Sequence, residues 1–169
     1  MDIEVRPLAV SDFPAVCETQ AGAHKDSSFH EPPETFAAYL RAFPAGSVAA
    51  VANDSLMGYG VGHPWLKGVP LPLDITELEL PPTPTCFHVH DIAVRVKGVE
   101  LGRRLLRRLV EVAAEEQLKV LDLIAVGGAD TYWHQFGFRP SEPETQAATA
   151  LYGSTAVYMV APIGDLSLP

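Results

Sequence analysis

A strand, a helix and a second strand follow one another directly along the chain, and this succession constrains the fold more than any other feature. The helix, 100–117 (ELGRRLLRRLVEVAAEEQ), carries its leucines and valines on one face. The segment before it, 86–94 (CFHVHDIAV), reads as a buried strand, and the apolar run 119–128 (KVLDLIAVGG) is typical of a central strand. The helix therefore has an apolar face to bury against a sheet that contains both strands.

The rest of the chain predicts further strands and helices. Residues 67–85 carry five prolines, which favours a loop or lid over a core element. The other predicted elements are an opening strand (IEVRPL), helices over 11–24 and 32–43, a hairpin turning at 53–55, a short helix (ADTYWHQFGF) and a final strand (STAVYMVAPI). This order predicts an α/β domain, 1–169, with a mixed sheet and helices on its faces.

Composition narrows the function. The chain has 169 residues and a formal charge of −9, and its acidity argues against nucleic acid as a partner. Its two cysteines, Cys17 and Cys86, show neither a metal nor a disulfide pattern. The first residues lack the basic and apolar regions of a signal peptide, and no apolar run is long enough to span a bilayer. We therefore expect a cytoplasmic protein without a membrane partner.

Two histidines stand two positions apart in the strand 86–94. Side chains alternate along a strand, so His88 and His90 are predicted to share one face, with Asp91 on the other. Three interpretations are open: a hydrogen-bonded core pair, a proton relay, or a metal site to which His63 or Asp74 would add a ligand. No ligand spacing enforces the metal site, and we expect none.

The turn before the helix 100–117 can hold a phosphate. A helix start presents free N–H groups and a partial positive charge, and Gly98 and Gly102 would let a ligand approach the backbone. Arg103 and Arg104 add positive charge beside them. The alternative is that these glycines serve only the turn and the packing of the helix.

Three motifs together resemble the acetyl-CoA-dependent N-acetyltransferases of the GCN5-related (GNAT) superfamily. Members show LAV at the end of the fourth strand, an R/Q-x-x-G-x-G/A loop that holds pyrophosphate, and FYxxxGF at the next helix. The corresponding stretches here are 92–94 (IAV), 97–102 (KGVELG) and 132–138 (YWHQFGF). The resemblance implies a mixed, mostly antiparallel twisted sheet flanked by helices on both faces.

The resemblance also implies a reaction and a set of site residues. The strand 86–94 is similar to the HLHALAV strand of serotonin (arylalkylamine) N-acetyltransferase, so His88 and His90 would take a proton from an amine that attacks the thioester directly. Backbone groups of 92–94 would hold acetyl-CoA, the co-substrate, while the next turn holds its pyrophosphate. The implied cofactor-binding residues are Ile92, Ala93, Val94, Lys97, Gly98, Val99, Leu101, Gly102, Arg103 and Trp133.

The chain departs from the superfamily pattern at three places. Trp133 stands where the superfamily has the tyrosine that protonates the departing thiolate, which leaves Tyr132, His134 or solvent as the acid. Glu100 replaces the middle glycine of the loop, where a carboxylate would repel pyrophosphate unless it faces solvent or pairs with Arg103 or Arg104. The loop is also two residues shorter than usual. These departures support an alternative, a catalytically silent relative that binds an acyl-CoA or a partner protein.

The acceptor is the least constrained part of the prediction. The resemblance implies an amine of a small molecule or peptide, and relatives often form homodimers. Tyr59 and Trp65, which precede the loop 67–85, are candidates for the wall of an acceptor pocket, although core aromatics would have the same pattern.

Overall fold

A computed structural model describes residues 1–141 and 149–169. Over these residues it has a seven-stranded sheet and four α-helices, connected in places by short 3-10 turns. In chain order the elements are β1 (Glu4–Pro7), α1 (Phe13–Ala23), α2 (Pro33–Ala42), β2 (Ser47–Ala52), β3 (Ser55–Trp65), β4 (Cys86–Val94), α3 (Val99–Glu115), β5 (Val120–Ala125), α4 (Asp130–His134), β6 (Arg139–Pro140) and β7 (Val157–Pro162).

The sheet is mixed and mostly antiparallel, with strand order β1-β2-β3-β4-β5-β7-β6. Among the seven strands of the described residues, only β4 and β5 pair in parallel, with α3 as the connection between them. Asn53 and Asp54 adopt positive φ angles at the β2–β3 turn, as a tight hairpin requires. The predicted fold class is confirmed, and the sequence missed only the two-residue β6.

Two hydrophobic clusters cover the two faces of the sheet. On one face α3 packs on the sheet, with Leu105, Leu106 and Leu109 fully buried. On the other face α1 and α2 pack on the sheet through residues such as Phe36 and Tyr39. The helix that the sequence marked as most amphipathic therefore buries the stripe that its spacing predicted. Among the described residues no helix is long and apolar enough to cross a membrane.

Two irregularities shape the middle of the sheet. The β3–β4 register passes from Val61↔Asp91 to Gly62↔Val89, so His90 is the extra residue of a β-bulge. On its other side β4 pairs with β5 at only two positions, Phe87↔Leu121 and His88↔Asp122. Beyond His88 the two strands separate and form a fork.

The segment 66–85 contains no helix or strand and lies over the α1–α2 face, as the loop prediction expected. Its Leu71 is buried in the cluster on that face. Hydrogen bonds to α2, β7 and neighbouring loops tie the segment down. Among them are those from Gly68 N–H to the Tyr158 hydroxyl, from the Tyr152 hydroxyl to the Leu71 carbonyl, from Asp74 N–H to the Glu31 carboxylate, and from the Arg41 guanidinium to the Thr76 carbonyl.

Gly46, just before β2, is the glycine with the least space for a side chain. A Cβ there would lie 1.8 Å from the carbonyl oxygen of Gly62, a backbone atom that cannot turn aside. We expect Gly46→Ala to lower the free energy of unfolding by about 3 kcal/mol, measured by urea denaturation. Gly22→Ala in α1 is the control, since a Cβ there meets nothing within 4 Å and should stabilise the helix slightly. Equal stability of the two variants would contradict the packing at Gly46.

Candidate functional site

The β-bulge decides which side chains of β4 share a face. Phe87 and Val89 pack in the cluster under α3, while His88 and His90 lie on the α1–α2 face, as predicted. Asp91 also lies on the α1–α2 face, where it bonds to Tyr59, so the prediction that it faces away from the histidines is wrong. The extra residue of the bulge breaks the strict alternation of the strand between positions 90 and 91.

His88 is held by a carboxylate on the neighbouring strand. Its Nδ1 lies 2.7 Å from Oδ1 of Asp122, and the Tyr158 hydroxyl donates to Oδ2 of the same carboxylate at 2.6 Å. Burial alone would raise the pKa of Asp122, but the charge of His88 and these hydrogen bonds outweigh it and lower that pKa. Whether or not the ring is charged, an ionised Asp122 holds a proton of His88 on Nδ1, so in the neutral ring Nε2 is the nitrogen that can accept a proton.

His90 forms a second pair, with a carboxylate from the loop before α2. Its Nε2 lies 2.5 Å from Oε1 of Glu31, and both side chains are about 3% exposed. Burial acts to lower the pKa of His90, but the charge and hydrogen bond of Glu31, together with the charge of Asp91, outweigh burial and raise that pKa. His90 therefore favours the protonated form, with its Nε2–H donated to Glu31.

Asp91 forms a third pair, with His24 at the end of α1. His24 Nε2 lies 2.9 Å from Oδ1 of Asp91, and the Tyr59 hydroxyl donates to Oδ2 at 2.5 Å. The hydrogen bond to Asp91 raises the pKa of His24. Burial acts to raise the pKa of Asp91, but the hydrogen bond and charge of His24 lower it overall. The pair is thus an ion pair that joins α1 to the strand carrying the other histidines.

The His24–Asp91 pair makes stability depend on pH. A raised His24 pKa stabilises the fold fully below pH 6.5, and this is lost as the pH rises through the folded-state pKa. A lowered Asp91 pKa stabilises it above about pH 3.8, and this is lost as the pH falls through the folded-state pKa. The difference in unfolding free energy between the wild type and His24→Gln should therefore be largest from about pH 4 to 6.5 and shrink above that range.

Denaturant unfolding across that pH range measures the difference. His134→Gln, an exposed position on α4, is the matched control and should follow the wild-type profile. A His24→Gln deficit that grows above pH 6.5 would contradict the ion pair.

Two more aromatic rings complete the group on this face. Tyr39 of α2 has its ring 4.6 Å from the ring of His90 and stacks at 5.5 Å on the ring of His63 from β3. The His63 ring lies 5.6 Å from that of His88. We call Tyr39, His63, His88 and His90 the ring cluster. It lies beside the fork between β4 and β5.

His63 and Asp74, the two residues considered as further ligands of a metal site, each make another hydrogen bond. His63 points its Nδ1 at the carbonyl of Pro64, and Asp74 reaches this region through its backbone N–H, which donates to Glu31. Over residues 1–141 and 149–169 no group of three or more histidine, cysteine, aspartate or glutamate side chains could hold a metal ion.

The first turn of α3 has features that suit an anion. Gly98 caps the helix with φ at 139°, a conformation that favours glycine, and a Cβ there would meet nothing within 4 Å. Glu100 is 71% exposed and lies 3.3 Å from a guanidinium nitrogen of Arg103, so it pairs as the sequence required. The Nε of Arg103 is buried and has no hydrogen-bond partner among the described residues.

Tyr132 and Trp133 of α4 point in different directions. Trp133 is 9% exposed and packs among Phe136 and Phe138 in the cluster under α3. Tyr132 instead brings its hydroxyl to the first turn of α3, where a Cβ on Gly102 would lie 2.2 Å from that oxygen. Burial raises the pKa of Tyr132, against the opposing charge of Arg103, and keeps the phenol protonated.

The other predicted site residues divide between the two faces. Ile92 and Val94 pack against the α3 cluster, and Ala93 lies in the cluster on the opposite face. Lys97 is exposed, whereas Leu101 is buried in the core.

The two residues predicted to wall an acceptor pocket have different surroundings. Tyr59 is fully buried, and its hydroxyl is already engaged in a hydrogen bond to Asp91. Trp65 is partly exposed, and its ring meets that of His63 edge-on at 5.3 Å.

Sequence reasoning missed most of the partners of the histidines. Asp122 had a visible signal, a single charge inside an apolar strand, because a buried carboxylate needs a partner. Glu31, His24 and Tyr39 had no such signal, since they lie in or beside helices whose docking on the sheet no local pattern fixes.

Comparison with known proteins places this geometry in a family. The family model described as "Acetyltransferase (GNAT) family" matches residues 10–138. The comparison of the sequence with curated proteins gave no significant match.

Solved structures share the fold at low sequence identity. Ard1 from Thermoplasma volcanium is 16% identical with a TM-score of 0.68, covering 96% of this chain and 98% of that one. The loading GNATL domain of CurA from Lyngbya majuscula is 10% identical with a TM-score of 0.72, covering 97% and 99%. N-acetylglutamate synthase from Neisseria gonorrhoeae, complexed with coenzyme A and N-acetyl-glutamate, is 13% identical with a TM-score of 0.65, covering 96% and 35%.

These comparisons identify the family but do not distinguish among its subgroups. None of them tests the likeness of His88 and His90 to the histidine pair of serotonin N-acetyltransferase, which stays a prediction. The family model covers the forked strands, the anion-suited turn of α3 and Tyr132 together. The chain belongs to the acetyltransferase (GNAT) family.

Proposed function

We propose that the chain transfers an acetyl group from acetyl-CoA to an amine by direct attack of the amine on the thioester. One observation carries the proposal: His88, held by Asp122 through Nδ1, lies where β4 and β5 begin to separate. A basic nitrogen fixed at the fork can take a proton from a nucleophile that meets an acyl group between the strands. The coenzyme A in the N-acetylglutamate synthase structure supports acetyl-CoA as the co-substrate.

The proton step is assigned to His88. Its Nε2 accepts a proton from the attacking amine, while Asp122 stabilises the resulting imidazolium through Nδ1. His90 was predicted to share this role, but its Nε2–H donates a hydrogen bond to Glu31, and its raised pKa favours the protonated form. We therefore assign His90 to fixing the ring cluster and to keeping a positive charge beside Glu31.

Strand β4 supplies the groups that hold the acyl end of the co-substrate. Beyond His88 it has no pairs with β5 in the register, so N–H groups along Ile92–Val94 can face the gap between the strands. When bound, acetyl-CoA supplies a thioester whose carbonyl carbon is the electrophile. Backbone N–H groups aimed at its oxygen would stabilise the negative charge that develops there.

The turn into α3 fits the pyrophosphate. Gly98 leaves the approach open, the first turn of α3 presents free N–H groups, and the unpartnered Nε of Arg103 offers a further donor. Glu100 is neutralised by its pair with Arg103 and points toward solvent, so it does not block an anion. The residues of 97–103 therefore stay our candidates for the coenzyme, together with Trp133 as a packing residue beneath it.

Tyr132 is the candidate acid. It packs against the α3 cluster, on the face of the sheet opposite to the ring cluster, so in this proposal the base and the acid approach the gap between β4 and β5 from opposite faces. The new N–C bond forms as the C–S bond breaks, the amine proton passes to His88, and the Tyr132 hydroxyl donates a proton to the leaving sulfur. The raised pKa of Tyr132 keeps that proton available at neutral pH.

Calorimetric titration with acetyl-CoA tests the coenzyme half of the proposal. We expect micromolar binding by the wild type and about tenfold weaker binding by Arg103→Gln, because one charge-assisted contact is lost. Arg108→Gln on the same helix is the control, since Arg108 pairs with Glu111 and Glu115 far from the first turn. No binding at millimolar acetyl-CoA would overturn the transferase assignment and favour the silent relative.

A further inference from the structure

Two polar atoms in the ring cluster have no hydrogen-bond partner among the described residues, although both are buried. They are the hydroxyl oxygen of Tyr39 and Nε2 of His63, and each side chain belongs to a residue that is 1% exposed. A buried polar group without a partner costs about 1–3 kcal/mol, so a ligand that supplies the hydrogen bond would recover free energy of that size. The two rings stack on each other with 5.5 Å between their centroids, so one ligand beside the stack can contact both side chains.

The chemistry of the two atoms specifies the ligand. His63 donates its Nδ1 proton to the carbonyl of Pro64, and burial lowers its pKa to about 3, so the ring is neutral and Nε2 is an acceptor. The partner of Nε2 must therefore be a donor. The Tyr39 hydroxyl can accept a second hydrogen from the same group or donate to it. An amino group, with several N–H bonds on one atom, can satisfy both.

The position of the two atoms ties the ligand to the reaction. Tyr39 lies between the rings of His63 and His90, and His63 lies beside His88. An amino group held by Tyr39 and His63 would be next to the nitrogen that we assign as the base.

The surroundings limit the size of the ligand. His88 is 5% exposed, and the segment 66–85 covers this face through its hydrogen bonds to Tyr152, Tyr158 and Glu31. Trp65 and Leu71 add apolar walls from the strand end and the covering segment. A site closed in this way suits a compact molecule that is fully enclosed once the segment has opened and closed again. A protein N-terminus would need an open path for the chain that follows it.

We propose that Tyr39 and His63 bind the acceptor's amino group, and that the acceptor is the primary amine of a small molecule enclosed beneath the segment 66–85. This inference rests on the proposed function. The sequence left the acceptor as an amine of either a small molecule or a peptide, and the inference selects the small molecule. Tyr39 and His63 are then substrate-binding residues, and His88 remains the base.

The test uses Tyr39→Phe, which removes only the hydroxyl. Because that hydroxyl has no hydrogen-bond partner within 1–141 and 149–169, the variant should have an equal or higher melting temperature than the wild type. Its KM for the best amine of a panel (2-phenylethylamine, tryptamine, cadaverine and glutamate) should rise about tenfold, with the dissociation constant of acetyl-CoA unchanged. His63→Phe should raise KM in the same way, but because it also removes the hydrogen bond from Nδ1 to the Pro64 carbonyl, we expect it to melt at a lower temperature than Tyr39→Phe. Val10→Ala, at an exposed position, is the control that should change neither quantity.

Acceptor size is tested on the wild type. We expect the best small amine to exceed tetrapeptides with free N-termini by about 100-fold in kcat/KM, since the peptides cannot be enclosed. Tetrapeptides that equal the amines would overturn the proposal, and so would a Tyr39→Phe variant with a lower melting temperature and an unchanged KM. Acetyl-CoA binding without acetylation of any amine would overturn this inference while the coenzyme assignment stands. Absence of acetyl-CoA binding would instead overturn the proposed function, and the melting temperature would still decide whether the two atoms are unpaired.

Discussion

The His88→Gln variant is expected to acetylate amines about 100- to 1,000-fold more slowly than the wild-type chain, because a positioned general base contributes factors of this size. Glutamine has nearly the length of histidine and can keep a hydrogen bond to Asp122, but it cannot accept a proton at neutral pH. The loss should fall on kcat, with the dissociation constant of acetyl-CoA unchanged. Steady-state kinetics with the best amine of the panel, together with calorimetry, measure both quantities.

His90→Gln is the matched control on the same strand. His90 is bonded to Glu31 through Nε2, so we expect its replacement to lower the rate much less than that of His88. Raising the pH of the assay deprotonates the amine in solution and should restore part of the rate to His88→Gln, because the missing base is then needed less. If His90→Gln proves the slower variant, the two roles are reversed and His88 is a structural partner of Asp122.

Replacing Asp122 should affect both stability and rate. Asp122→Ala leaves His88 and Tyr158 without their shared partner in a buried place, and we expect a loss of about 3–5 kcal/mol in the free energy of unfolding. Asp122→Asn keeps the volume and one acceptor, so it should unfold closer to the wild type. Its rate should nevertheless fall about 100-fold, because a neutral amide no longer stabilises the His88 imidazolium.

Tyr158→Phe separates the two effects. It removes the hydrogen bond that Asp122 accepts from Tyr158 and the one that Tyr158 accepts from Gly68 N–H, but it leaves the contact of Asp122 with His88. We therefore expect a loss of about 1–3 kcal/mol in the free energy of unfolding and a rate that falls much less than that of Asp122→Asn. Urea denaturation and steady-state kinetics on the three variants give the comparison. An Asp122→Asn variant with the wild-type rate would show that Asp122 serves only the packing between β4 and β5.

Most of the fold could be predicted from local patterns. The bounds of β4 are those that the sequence indicated, and α3 lies within two residues of its predicted ends. These segments have a clear period or an uninterrupted apolar run, and such patterns depend only on neighbours along the chain. The absence of helix and strand from the segment 66–85 could also be predicted, because prolines disfavour both helices and strand ladders.

Only part of the candidate site could be predicted from the sequence. The motif of the histidine strand and the turn before α3 marked where chemistry could occur, but Asp91 was placed on the wrong face. A β-bulge arises from the pairing of one strand with another, here where Gly62 comes opposite Val89. The sequence of a single strand therefore does not predict it.

The sequence by itself therefore determined the elements, their order and the residue types at the fork. Only the tertiary structure decided that three histidines each pair with a carboxylate from a different element. His24, directly after α1, pairs with Asp91 of β4. His88 and His90 of β4 pair with Asp122 of β5 and with Glu31 of the loop before α2. The physical reason is range. Helix and strand patterns come from contacts a few residues apart, whereas each histidine–carboxylate pair joins residues 34 to 67 positions apart. Only the docking of α1, α2 and β5 brings these residues within hydrogen-bond distance.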